Sequence, residues 1–393
     1  MIKRSKYLQE LLNYRDKKLI KVIVGVRKCG KSTLMLQYVE ILKKDSDSNI
    51  IFVDLNDYQT SKNINDLDKL NNYIKKHYKP TKKNYLFVDE VQEIKDFQII
   101  INSWINKKNM DIYITGSNSK LLSGEISTLI TGKNIVITVY PLVFSELCHK
   151  NEPNIKTKFD KYFKYGGMPG RLMFENEKEI YTYLNMIYSD ILQNDILTRN
   201  NVLDVSELTN IYKFIFDNLG KELSYKNIYN VIRKNGSALS RTTIIKYVEL
   251  LRQCFLIQKI NKFDLKGLKI LDNLCKYYPI DIGMKNAIFK NFAHNRGKLL
   301  ENIVLNELKY RGYEVFIGTS RTINEIDFVA KNNEETLYLQ VTEYLTDENV
   351  EREIDPFLKI RDSNPKILLS LNELESKDRN GIQYLNLIKW LLK

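Results

Sequence analysis

Short apolar runs rich in β-branched residues recur through the first third of the chain, each closed by a polar or glycine-containing turn. Leu19-Ile20-Lys21-Val22-Ile23-Val24 is the first, and its composition is that of a buried strand. Tyr85-Leu86-Phe87-Val88 is four consecutive apolar residues, the pattern of a strand covered on both faces. Asp111-Ile112-Tyr113-Ile114-Thr115, Asn49–Leu55 and Asn134–Tyr140 bring the count to five in about 140 residues. After the first strand, Leu34, Leu36, Tyr38, Val39, Ile41 and Leu42 make an apolar-rich stretch of helical length. It ends in Lys43-Lys44, where the helix dipole favours cations. Strands alternating with helical segments predict an α/β fold with a doubly wound parallel sheet.

Further along, helical signals dominate. Residues 206–218 read as one helix, and Ser224–Lys234 as a second capped by Ser224. Asn235-Gly236 makes a turn, and Ser240 caps Arg241–Arg252, whose buried stripe is Ile244, Ile245, Val248 and Leu251. Two strands, Phe255–Phe263 and Gly267–Leu271, join around Asp264-Leu265-Lys266. Helix, turn, helix and a two-stranded wing predict a winged helix-turn-helix. From Arg296 the order becomes helix (Lys298–Arg311), three strands (Tyr313–Ile317, Ile326–Ala330, Thr336–Thr342) and helix. The expected division is therefore 1–145, 146–290 and 291–393.

Chemistry enters at residues 25–32, GVRKCGKS, which fit the phosphate-cradling pattern G-x-x-x-x-G-K-[ST]. Gly25 and Gly30 let the main chain curl so that successive N–H groups point inward, and the helix that follows turns its positive end to the same anion. The whole segment Gly25, Val26, Arg27, Lys28, Cys29, Gly30, Lys31, Ser32 and Thr33 is expected to hold a nucleoside triphosphate. Lys31 reaches the β/γ-phosphates and the Ser32 hydroxyl ligates magnesium. Asp89 and Glu90 emerge from the Tyr85–Val88 strand beside those phosphates: Asp89 to hold the metal through water, Glu90 to polarise the attacking water. The alternative is that both acids open a solvated helix, DEVQEIKDFQ. Gly116-Ser117-Asn118-Ser119 ends the third strand, and Asn118 is the residue expected to reach the γ-phosphate or its water; GSNS also suits an ordinary turn before a helix.

GVRKCGKST, LFVDEVQEI, YITGSNSKLLSGE and TVYPLVFSEL together resemble the AAA+ superfamily of P-loop ATPases over residues 1–145. KYGGMPGR, KYYPIDIGMKNA, RGKLLENIVLNEL and NEIDFVA resemble the poorly characterised region that follows this ATPase in many bacterial and archaeal proteins. The resemblance implies ATP and Mg²⁺ as ligands, a sheet order of 5-1-4-3-2, and Asn118 as polar sensor. One departure is Thr131-Gly132-Lys133, where the family commonly carries an arginine. Lysine lacks the forked contact of arginine to phosphate, and Arg171 and Arg199 are the other candidates for a transition-state arginine.

With 43% hydrophobic residues, 25 tyrosines, 16 phenylalanines and only seven prolines, the composition is that of a globular protein without long linkers. The charged opening MIKRSKYLQELLNYRDKK does not suit a signal peptide, and no apolar run has the length of a membrane span, so a cytoplasmic location is expected. Cys29, Cys148, Cys254 and Cys275 and the three histidines are scattered, so neither a zinc site nor a disulfide framework is expected; Cys148 and His149 are adjacent without further ligands. Cys29, beside Lys28, Lys31 and a helix N-terminus, is expected to favour its thiolate.

The net charge of +13 is uneven: residues 221–270 hold 11 Lys and Arg against three acids, whereas 301–393 hold 12 against 17. The basic segment points to duplex DNA, with Arg241, Thr242, Thr243 and Lys246 in the groove and Lys262, Lys266 and Lys269 of the wing on the backbone. Contact with a protein or with a neighbouring ATPase subunit is the competing reading, and the sequence leaves the monomer or homo-oligomer state open.

The acidic segment resembles the restriction-endonuclease-like fold, with Glu301 and Asp327 in place. Gln340 stands where a carboxylate would bind metal, and Thr342 where a lysine would orient the nucleophile. An amide is a weaker magnesium ligand and a hydroxyl carries no charge. Glu325 and Glu343 are the remaining acids, and alternation along the strand turns Glu343 away from the face that holds Thr342, which makes it a poor substitute. The expectation is a degenerate nuclease-like domain.

Overall fold

The computed structural model describes residues 2–117, 133–198, 204–289, 296–320, 323, 325–372 and 377–393. It divides into two compact units, Met1–Val139 with Gln253–Phe255, and Tyr140–Arg252 with Leu256–Lys393. Among the described residues no helix is long and apolar enough to cross a membrane.

The first unit is built on five parallel strands: β1 (Ile20–Val24), β2 (Ser48–Asp54), β3 (Lys83–Asp89), β4 (Met110–Gly116) and β5 (Asn134–Thr138). Their spatial order is β2-β3-β4-β1-β5, the expected 5-1-4-3-2 read from the other edge. The strand period of two sorts the core. Val22, Val24, Leu86, Val88, Ile112 and Ile114 join one buried cluster, while Phe87 stacks on Tyr113 at 4.8 Å and Tyr113 lies 5.2 Å from Tyr38. Helix α1 (Ser5–Asn13) precedes the sheet, and α2 (Lys31–Leu42) follows β1, burying Leu34, Met35, Tyr38, Val39 and Leu42. Parallel register aligns Val24 with Gly116 and Asp54 with Asp89, so the C-terminal ends of the strands share one edge, where ligands bind in such sheets.

Two charges interrupt this apolar core. Lys21 on β1 pairs through Nζ with Asp111 Oδ1 on β4, and its side chain is wholly buried. Asp111 also accepts from Tyr113 Oη at 2.8 Å and from the Asp16 amide at 2.9 Å. Burial dominates both titrations: it lowers Lys21 and raises Asp111 from their ordinary ranges, against the attraction between them.

In the second unit, α3 (Val205–Asp217), α4 (Tyr225–Lys234) and α5 (Arg241–Gln253) are followed by the antiparallel pair β6 (Ile257–Asp264) and β7 (Lys269–Pro279). A single bridge joins Leu223, between α3 and α4, to Cys275 of β7. The hairpin expected as a wing does not stand alone. β6 also runs parallel to β8 (Glu314–Thr319), from Lys262↔Ile317 to Asp264↔Thr319. The hairpin is thus one edge of an eight-stranded sheet that continues through β9 (Ile326–Lys331), β10 (Thr336–Val341), β11 (Lys366–Ser370), β13 (Ile382–Asn386) and β12 (Lys377–Arg379). Phe263 packs on Phe316, ring centroids 5.7 Å apart, which supplies the apolar contact that a solvent-facing wing would lack. The division expected at 290/291 therefore falls inside the span of one sheet, and that expected at 145 lies six residues past Val139.

Candidate functional site

β1 ends at Val24, and the chain turns through residues 25–30 into α2. Gly30, the N-cap of α2, has φ 103° in the left-handed region, which L side chains enter at a cost. A Cβ on Gly25 would stand 2.2 Å from Val139 O, so that position admits no side chain without moving β5's exit. Lys31 Nζ donates to Gly25 O at 3.0 Å and Val26 O at 3.3 Å, and lies 3.8 Å from Glu90 Oε1. Ser32 hydrogen-bonds the Asp89 carboxylate. Thr115, at the end of β4, donates from Oγ1 to Asp89 Oδ1 and accepts from the Glu90 amide at 2.9 Å. Asn56 Nδ2 lies 3.4 Å from Asp89 Oδ2. Burial raises the Asp89 carboxyl above its ordinary range; the bonds from Ser32 and Thr115 act the other way, and the Glu90 and Asp54 charges add to the rise.

These groups surround a cavity of about 260 Å³ whose walls include Arg27, Lys28, Gly30, Lys31, Ser32, Thr33, Asn56 and Glu90. Val26 and Cys29 are fully buried, so their side chains do not reach the cavity. A lysine, a hydroxyl and two carboxylates around a curled main chain fit a magnesium-bound polyphosphate: Ser32 and Asp89 supply hard oxygen donors, and Lys31 supplies the cation. Glu90 and Asp89 do not start a solvated helix. Asp89 closes β3, and Val91–Glu93 is a single 3-10 turn before the next helix at Gln98.

The expectation for Cys29 is corrected, and Lys133 and Arg171 are placed. Cys29 Sγ faces Val139 O at 3.3 Å, with no exposure; burial raises the thiol above its ordinary value and outweighs Lys31 and Arg4. Native protein treated with iodoacetamide is therefore expected to carry no label at Cys29, and mass spectrometry should find the label only after denaturant is added. Lys133 lies at the start of β5, donating to Asn106 Oδ1 at 3.1 Å, at the sheet edge opposite the phosphate loop. Arg171 is buried in the second unit, its Nε 2.5 Å from Gly166 O. It is no exposed arginine. Asn118, Arg199 and the Thr131-Gly132 pair lie outside the described residues.

Sequence reading missed Thr115 and Asn56. Each is a polar residue just at or beyond a strand's C-terminal end, one strand over from the acids, and that placement was the available signal.

In the second unit, a cavity of about 820 Å³ includes Lys298, Glu301, Asp327, Gln340 and Thr342 on its walls. Asp327 Oδ2 accepts from the Val341 amide at 2.9 Å, and Gln340 Oε1 accepts from the Asp327 amide at 3.2 Å. Lys298, one turn before Glu301, places Nζ 2.6 Å from Glu301 Oε1 and 3.9 Å from Asp327 Oδ1. Burial, with the Glu301 charge, drives Asp327 well above the usual carboxylate range. The Thr342 hydroxyl donates to Tyr344 O at 3.3 Å, within its own segment. Glu325 and Glu343 are taken up by Lys276 and Arg296. Among the described residues no group of three or more His, Cys, Asp or Glu is placed to hold a metal ion.

The residues expected to face DNA differ in exposure. Arg241, Thr242, Lys246, Lys266 and Lys269 are exposed, but Lys262 is 5% exposed and paired with Glu222. Lys262 is withdrawn as a phosphate contact because β6 is buried by β8 at that point.

Residues 17–148 match the AAA domain family, and residues 156–295 match a domain of unknown function, DUF8612. An uncharacterized protein of Haemophilus influenzae is 36% identical over 403 aligned positions, covering 100% of this chain and 99% of the relative. Uncharacterized protein MJ1544 of Methanocaldococcus jannaschii is 30% identical, covering 89% of this chain and 81% of its own. Among solved structures, the Walker-type ATPase of Pyrococcus abyssi is similar in fold, with a TM-score of 0.50 at 12% identity over 73% of this chain and 96% of the other.

Proposed function

Since the chain belongs to one family with the Haemophilus influenzae protein and carries an AAA domain within it, we propose that it binds MgATP and hydrolyses it to ADP and phosphate. The observation that carries this reading is the meeting of Lys31, Ser32 and Glu90 on the walls of one cavity at the sheet's C-terminal edge, with the buried Asp89 carboxylate directly behind Ser32. Mg²⁺, held by Ser32 and by Asp89 through water, would offset charge on the β- and γ-phosphates. Lys31 would leave the Gly25 and Val26 carbonyls for the phosphate oxygens, and the amides of residues 26–31 would stabilise the charge that develops there. Glu90 would take a proton from the attacking water. The water's oxygen bonds the terminal phosphorus, and the bond to the bridging oxygen breaks with its electron pair leaving on ADP. Titration calorimetry with MgATP, comparing the wild type with Lys31→Ala, tests the reading: equal heats, or none from either, would end it.

Hydrolysis would serve to switch the second unit. Duplex DNA is the partner favoured for that switch, supported by the solvent-facing Arg241, Thr242 and Lys246 on α5, whose opposite side buries Ile244, Tyr247, Val248 and Leu251. Lys266 and Lys269 at the β6–β7 turn would add phosphate contacts. In a salt titration of DNA affinity, Lys266→Glu with Lys269→Glu is expected to reduce the slope of log K against log salt by about 2. A slope like that of the wild type assigns the turn no phosphate contact and favours a protein partner. Nuclease activity is the less supported reading, given Gln340 and Thr342 at the positions where the chemistry needs charge.

A further inference from the structure

Gln92 stands two residues beyond Glu90, on the 3-10 turn Val91–Glu93. Its side-chain amide donates from Nε2 to Glu90 Oε2. An ionised carboxylate only accepts hydrogen bonds, so the NH₂ end of the amide is the end that faces it. The other end, Oε1, is buried and meets no hydrogen-bond partner among the described residues. An unpaired buried carbonyl oxygen opposes folding, and a methionine of similar shape would remove that penalty. Packing alone therefore gives no reason for an amide at this position. Its bond to Glu90 does.

The main chain around Glu90 is arranged to the same end. Glu90 has φ 53°, in the left-handed region that a residue with a Cβ enters at a cost, and its amide is tied to Thr115 Oγ1 at 2.9 Å. This bend places Glu90 on the cavity wall, and the Gln92 bond then fixes the outer torsions of its side chain. Lys31 Nζ, 3.8 Å from Glu90 Oε1, cannot hold the carboxylate during the reaction, because the same ammonium is drawn to the phosphates. The Gln92 bond does not depend on where Lys31 points.

We propose that Gln92 is the positioning residue for Glu90: its Nε2–H holds one carboxylate oxygen so that the other is aimed at the attacking water. The proposal rests on the ATPase reading above.

The test uses the full chain with Gln92→Met, which keeps the volume and removes the donor, and Gln92→Glu, which keeps size and polarity and repels. Steady-state hydrolysis, MgATP calorimetry and melting temperature are measured for each. Both variants are expected to lose about 30- to 100-fold in kcat, with KM and the MgATP dissociation constant within about twofold of wild type. Should methionine lower the melting temperature, the glutamate variant carries the comparison. In a Glu90→Gln background, Gln92→Met is expected to change the residual single-turnover rate by less than about twofold, since the group it positions is gone. A kcat within about twofold of wild type, or an undiminished loss in the Glu90→Gln background, overturns the proposal while leaving the ATPase reading intact. A wild type that neither binds nor hydrolyses MgATP overturns both.

Discussion

Lys31→Ala is expected to weaken MgATP binding by about 10²- to 10⁴-fold, because two charge-assisted bonds to phosphate at about 1.5–3 kcal/mol each disappear together. The ammonium now sits 3.0 and 3.3 Å from two loop carbonyls and 3.8 Å from Glu90, all of them acceptors. It is a cation held in reserve at the mouth of the cradle, with the anion as its better partner. Its removal should cost the fold little, about 1 kcal/mol, since the cavity beside it lets water reach the carbonyls it leaves. The measurement is calorimetric titration beside a thermal melt: loss of heat with an unchanged melting temperature is the expected pair of results. Loss of both would mean that Lys31 is a structural cation and would remove the main support for the phosphate assignment.

Lys21→Met is expected to destabilise the first unit by about 3–5 kcal/mol, as it strands the Asp111 carboxylate between β1 and β4 without its cation. That is a large part of the roughly 5–15 kcal/mol that holds a typical domain together. The directions of the two pKa shifts argue that the pair itself contributes little: burial depresses Lys21 and raises Asp111 in spite of their attraction. Lys21→Met with Asp111→Leu should accordingly recover most of the loss, short of the bonds that Tyr113 Oη and the Asp16 amide make to Asp111. Urea denaturation followed by Trp104 fluorescence, in a Trp390→Phe background so that only the first unit reports, measures both variants. Equal stability for the single variant and the wild type would show that Asp111 is neutral in the fold. The pair then would have no part in holding β1 beside β4.

The proposed nucleotide site was legible because its signals are local. A cradle needs Gly25, Gly30, Lys31 and Ser32 at fixed spacing between a strand and a helix, and Asp89-Glu90 needs only to end a buried strand. Each requirement is met within a dozen consecutive residues, so reading along the chain finds it. Thr115 and Asn56 escaped because they matter only through strand pairing: the β2–β3 register brings Asp54 beside Asp89, and the β3–β4 register brings Val88 beside Ile114. Cys29 was misread for a related reason. Neighbours in sequence, Lys28 and Lys31, argued for a thiolate, but the turn points Sγ at Val139, 110 positions away, where burial governs the proton.

In the second unit the balance shifts toward contacts between distant segments. The helices and the β6–β7 pair follow from periodicity and caps, yet nothing in residues 257–264 announces that β6 will accept β8 as a neighbour. That pairing buries Lys262 and joins what read as a wing to one edge of a larger sheet. Lys298 likewise became visible only when α-helical spacing set it one turn from Glu301 and the sheet brought Asp327 alongside.

Taken by itself, the amino-acid order determined which segments are strands and helices in the first unit, the parallel α/β class, and the loop proposed to cradle a polyphosphate, since backbone sterics and side-chain period act over a few residues. Tertiary structure alone decided which charges are buried, which way Cys29 and Lys262 face, and that Gln92 holds Glu90. Burial and hydrogen-bond geometry depend on which distant strands become neighbours, and that choice is made by the packing of the whole unit.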